Sequence, residues 1–188
     1  MSDNPDEDQS RTLTLEAYAD TFVPGEKRGP DDRAVAGAAS GPGAVAAGAL
    51  ELLQMSATGV ADGLGDLAVA LNGHAQAYAA ERGLALDTSI PSFVALPFAD
   101  RSALVQSLIA PEHPERDIWI LVALFCFMAF DTAAHMHTAD ALAAGHPGLT
   151  TMGFAPPNAD GLWRFADFSY GRQLASVHPD TTPAGDPG

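Results

Sequence analysis

The run Ile118 to Phe130, IWILVALFCFMAF, contains no charged side chain, and Asp117 and Asp131 bound it on either side. Such a run must be buried in protein or placed in lipid. At about 1.5 Å per residue, a helix over these thirteen residues reaches roughly 20 Å, short of the ~30 Å hydrocarbon core of a bilayer. The run is therefore expected to form a central helix buried on all sides, and no membrane span is expected. In a chain of 188 residues, 47% hydrophobic, enough apolar surface remains elsewhere to cover it within one domain.

The covering elements also read as helices. Leu15, Tyr18, Ala19 and Phe22 repeat at helical spacing, with Thr14 as the expected N-cap and Pro24-Gly25 as the stop. Gly41-Pro42 is expected to open a second helix, with Val45, Ala49, Leu52 and Leu53 as its buried stripe. Leu64, Leu67, Ala68, Leu71, Ala75 and Tyr78 share one face of a third, which Gly83 ends by supplying a left-handed cap. Leu84 to Pro97 reads as a structured loop, after which Asp100 is expected to cap a short helix bearing Leu104, Val105 and Leu108. The central helix is expected to start near Pro114 or Glu115 and to close before Gly145. No stretch of alternating β-branched residues competes with helix.

These signals give an all-α fold class: an irregular helical bundle around a central buried apolar helix, with a loop-rich aromatic C-terminal segment. Residues 1–11 are polar and acidic and are expected as a disordered tail; 12–175 form a single helical domain; 176–188, rich in proline and polar residues, are expected as a second disordered tail.

Net charge is −15, from 24 acids against 9 bases. A surface of that sign repels a phosphate backbone and anionic lipid, so nucleic acid is not an expected partner. Cys126 is the only cysteine, which excludes an internal disulfide and a thiolate metal cluster; inside the apolar run it reads as a buried, inert thiol. The opening residues MSDNPDEDQSRT resemble neither a secretory nor a twin-arginine signal, so a cytoplasmic location is expected.

Three places could carry chemistry or binding. GPGAVA at Gly41 to Ala46 matches one form of the dinucleotide fingerprint, but that fingerprint works only behind a buried strand; a helix start is the better reading. Asp131, His135 and His146 are the catalytic candidates. On a continuous helix Asp131 and His135 stand one turn apart and can hydrogen-bond, whereas His135 and His137 fall about 200° apart and cannot share an ion. The cluster reads as a helix end in which Asp131 satisfies His135, or as a histidine presented to a neighbouring active site. No metal and no cofactor are expected in this chain. Finally, Phe154, Trp163, Phe165, Phe168 and Tyr170 put five aromatics within seventeen residues, with Arg164 beside Trp163. They can fold over the core or form a partner interface, where Trp, Tyr and Arg are the usual anchors.

The segments LTLEAYADTFVPGEKRGPDD, GPGAVAAGALELL and GHPGLTTMGF occur in an order that resembles the gluconate 2-dehydrogenase subunit 3 family. Members begin with a helix ending in Ala-Asp-Thr-(Ile/Val)-Pro and a polar loop, continue through a Gly-Ala segment, and finish in a glycine-rich aromatic one. The resemblance implies an all-helical small subunit that binds a larger FAD-dependent oxidoreductase subunit of the glucose–methanol–choline family, with the FAD held by the partner. It implies no catalytic residue for this chain. The absence of a twin-arginine leader suggests a cytoplasmic flavoprotein complex rather than an exported one. The reading that follows is a non-catalytic accessory subunit of a cytoplasmic FAD-dependent alcohol or sugar oxidoreductase. The alternatives are a stand-alone histidine- or metal-dependent enzyme using Asp131, His135 and His146, and a self-associating helical protein.

Overall fold

The structure, a computed structural model, describes residues 5–156, 158–160 and 179–180. Among them there are helices and turns and no strand: the fold is all-α. The chain divides into two compact units, Met1–Phe154 and Ala155–Gly188, and the helices among the described residues lie in the first. The helices are α1 (Pro5–Phe22), α2 (Ala49–Leu53), α3 (Leu64–Arg82), α4 (Ser92–Ala95), α5 (Phe98–Leu108), α6 (Arg116–Thr132), α7 (Thr138–Ala143) and α8 (Pro147–Thr151). No described helix is long and apolar enough to cross a membrane.

α1 begins earlier than the sequence suggests. Asp6, Glu7 and Asp8 occupy its first turn, where carboxylates favour the positive end of the helix dipole, and Asp8 pairs with Arg11 at 3.0 Å. Residues 5–11, expected in a tail, are therefore helical, and Thr14 is not an N-cap. It is buried mid-helix, its hydroxyl donating to Ser10 O (2.8 Å) and accepting from Asn72 Nδ2 (3.0 Å), which ties α1 to α3. Pro24 ends the helix, since it lacks an N–H and disfavours helical geometry before it. α3 runs as its periodicity indicates, Leu64, Ala68, Leu71, Ala75 and Tyr78 buried and Gly83 capping it at φ 66°. α5 differs at its start: Pro97 is the N-cap, and Asp100 sits in the first turn accepting from the Tyr78 hydroxyl at 3.0 Å.

The core centres on Tyr18, which is fully buried. Its ring meets Phe22, Phe93 and Trp119 at centroid distances of 5.0, 6.4 and 5.7 Å, and its hydroxyl donates to Trp119 O at 2.6 Å. α6 packs through Trp119, Val122, Ala123, Cys126 and Ala129 against α1, α2 and α8. Burial pushes the Cys126 thiol up to about 12, which keeps it protonated and unreactive.

Between α1 and α2 the chain has little regular structure, and buried polar groups hold it. Asp20 accepts from Gly25 N (3.1 Å) and Ala36 N (2.8 Å), while burial raises its carboxyl above the usual range. Buried Arg101 donates to the carbonyls of Ala34 (2.6 Å), Val94 (2.5 Å), Leu96 (3.0 Å) and Arg33 (3.3 Å). The glycines of GPGAVA belong to this packing. A Cβ on Gly43 would stand 2.5 Å from Val23 O and 2.6 Å from Gly25 N, so two backbones meet here where side chains cannot fit. No strand precedes them. The helix starts only at Ala49, because Gly48 takes the left-handed conformation at φ 83°.

The largest departure from expectation concerns α6. The apolar run is not buried on all sides: Leu121, Leu124, Phe127 and Met128 are 37%, 50%, 42% and 40% exposed. The helix also ends at Thr132, where Ala133 caps it at φ 49°, and a turn and α7 replace its expected continuation toward Gly145.

Candidate functional site

Because α6 stops at Thr132, Asp131 and His135 do not share a helical turn. Asp131 Oδ1 and His135 Nδ1 are both buried and neither has a hydrogen-bond partner among the described residues, so the expected Asp131–His135 bond is not made. His135 meets His146 instead, ring centroids 5.6 Å apart. His146 is only 5% exposed and both its nitrogens are engaged: Nε2 lies 3.0 Å from Ala47 O, and Nδ1 accepts from Leu149 N at 3.3 Å. A carbonyl can only accept, so Nε2 carries the proton and Nδ1 the occupied lone pair. His146 therefore joins the start of α8 to the turn before α2 and offers no lone pair to a metal or substrate. Burial first, and His146 second, lower the His135 pKa, favouring its neutral form. His137 lies exposed at the start of α7.

A second cluster was not anticipated from the sequence. His74 on α3 meets Glu115 at the foot of α6, Nε2 to Oε2 2.7 Å. His113 joins them from the α5–α6 connection, its ring 5.6 Å from that of His74 and its Nδ1 accepting from Glu115 N at 3.2 Å. The buried Trp119 indole donates Nε1–H to Glu115 Oε2 at 3.0 Å. The contact with His74, then that with Trp119, holds the Glu115 carboxyl below the usual range. Ligand atoms of His74, His113 and Glu115 all lie within 4.8 Å of one another. An open groove of about 240 Å³ adjoins them, lined also by Tyr78, Glu81, Arg82 and Ser107, with the Arg82 guanidinium 3.7 Å over the Tyr78 ring. Spacing could not signal this set, because α3 and the α5–α6 connection meet only in the folded chain.

The third feature is the outer face of α6. Leu121, Leu124 and Met128 follow one another by three and four residues, with Phe127 beside them, making a stripe opposite the one that packs inward. Phe127 is braced edge-to-face on Phe22 at 5.9 Å. Of the aromatics expected at an interface, Phe154 is 52% exposed; Trp163, Arg164, Phe165, Phe168 and Tyr170 lie outside the described residues.

No curated protein and no solved structure matches this chain. A profile described as "Family of unknown function (DUF5987)" matches residues 9–188, so the chain belongs to that family.

Proposed function

We propose that this protein is a non-catalytic accessory subunit that binds a larger FAD-dependent alcohol or sugar oxidoreductase of the glucose–methanol–choline family, in the cytoplasm. The observation that carries the binding role is the outer face of α6. Four large apolar side chains stand exposed on a helix whose other face is locked into the core. Leaving such a stripe in water is unfavourable, and a rigid apolar face needs little ordering when a partner covers it. The kind of partner comes from the order of the LTLEAYADTFVPGEKRGPDD, GPGAVAAGALELL and GHPGLTTMGF segments. In the fold, the first two pack on each other through the Gly25–Gly43 contact. His146, from the third segment, bonds to Ala47 in the second.

Affinity capture from the native cell, with Leu124→Glu and Trp163→Ala beside the parent chain, tests the reading. The parent should retain a protein with the visible absorption bands of bound flavin. Each variant should lose most of it, since removing one interface anchor commonly costs about 2 kcal/mol, roughly thirtyfold in affinity. Circular dichroism of both variants should stay helical. Capture of further copies of this chain alone would instead establish self-association, and equal retention of the flavoprotein by Leu124→Glu would remove α6 from the interface.

A further inference from the structure

We infer that His74, His113 and Glu115 form a binding site for a divalent transition-metal ion of the zinc class. The donors are two imidazoles and one carboxylate, a set that suits zinc and its borderline neighbours better than magnesium or calcium, which prefer all-oxygen shells. They come from two separately anchored elements, the body of α3 and the connection leading into α6. A tether between these elements needs only the His74–Glu115 pair; a second imidazole at the same carboxylate is what a metal site adds.

Tetrahedral zinc with bonds near 2.1 Å places its ligand atoms about 3.4 Å apart. The present span of at most 4.8 Å therefore closes by no more than about 1.4 Å, and the 2.7 Å His74–Glu115 contact opens by about 0.7 Å. Such shifts are within side-chain reach, because His74 and Glu115 are 30% and 44% exposed. If His113 engages through Nδ1, it gives up only the long 3.2 Å bond from the Glu115 amide, which faces water. The Trp119 indole N–H already orients the Glu115 carboxylate, the part that outer-shell hydrogen bonds play around metal ligands. With three protein ligands, the fourth position is left to water or a small ligand from the adjoining groove, where Arg82 supplies a positive charge.

The test is zinc titration of the chelator-stripped full chain against a chromogenic indicator, with cobalt as spectroscopic probe. One ion should bind per chain in the micromolar range, with a cobalt spectrum showing nitrogen ligation. Affinity should fall as the pH is lowered, because protons compete for the imidazoles. His74→Ala, His113→Ala and Glu115→Gln should each weaken binding by about tenfold or more, and His137→Ala, at an exposed histidine elsewhere, should leave it unchanged. Glu115→Gln is nearly isosteric at an exposed position and carries the test if an alanine variant unfolds. Failure to compete with the indicator at micromolar free zinc, or binding undiminished by Glu115→Gln, overturns the proposal.

Discussion

Gly48 shows how one residue can decide a neighbourhood. Its φ of 83° is unfavourable for any other residue, and a Cβ there would stand 2.5 Å from His135 Nε2. Gly48→Ala should therefore destabilise the fold by about 1–3 kcal/mol in chemical denaturation. Adding His135→Ala should recover only the steric part, because the backbone strain remains. Asp32 makes a comparable local commitment. Burial alone would raise its carboxyl, but hydrogen bonds from the Arg28 side chain and from Val35 and Arg28 N–H outweigh this and bring it from 3.8 down to about 2. A depressed folded pKa stabilises the fold above the unfolded value and loses that contribution as the pH falls through the folded one. The melting-temperature gap between the parent chain and Asp32→Asn should thus be full above pH 3.8 and shrink toward about pH 2. A gap that widens on acidification would contradict the assigned hydrogen bonds.

At the scale of elements, α6 is one helix with two roles. Trp119 is 1% exposed and touches Tyr18, whereas Leu124 on the opposite side is 50% exposed. Trp119→Ala should cost about 3–5 kcal/mol, as large core truncations do, while Leu124→Ala should fall within about 0.5 kcal/mol in the isolated chain. Urea denaturation of the two variants checks this, and a large loss at Leu124 would show that its face is covered within the chain. The helical assignment of this run was legible from its unbroken apolarity and length. Its exposure was not, because periodicity vanishes when every position is apolar and both faces look alike. α3 is the converse: its polar and apolar residues alternate at helical spacing, so the sequence announced which face is buried, down to the Gly83 cap.

For the molecule as a whole, 24 acids against 9 bases make self-repulsion a property of the compact state. Added salt shortens the screening length from about 10 Å at 0.1 M to about 3 Å at 1 M. The melting temperature should accordingly rise over that range in sodium chloride. A steady fall would mean that the exposed ion pairs, such as Arg33–Asp87 at 3.1 Å, outweigh the general repulsion.

The all-α class, the apolar α6, the stop at Pro24 and the Gly83 cap were determined by the sequence alone, because each follows from spacing or backbone chemistry within a few neighbouring residues. The tertiary structure alone decided the matters that depend on distant segments meeting. It separated Asp131 from His135 by ending α6 at a left-handed Ala133, and it turned the His146 ring that caps α8 so that its other nitrogen reaches the distant Ala47 carbonyl. It brought His113 and Glu115 to His74, and it left one side of α6 facing outward. Local propensity carries no information about such encounters; they are set by how the buried faces of separate helices pack together, and the exposed side chains go wherever that packing leaves them.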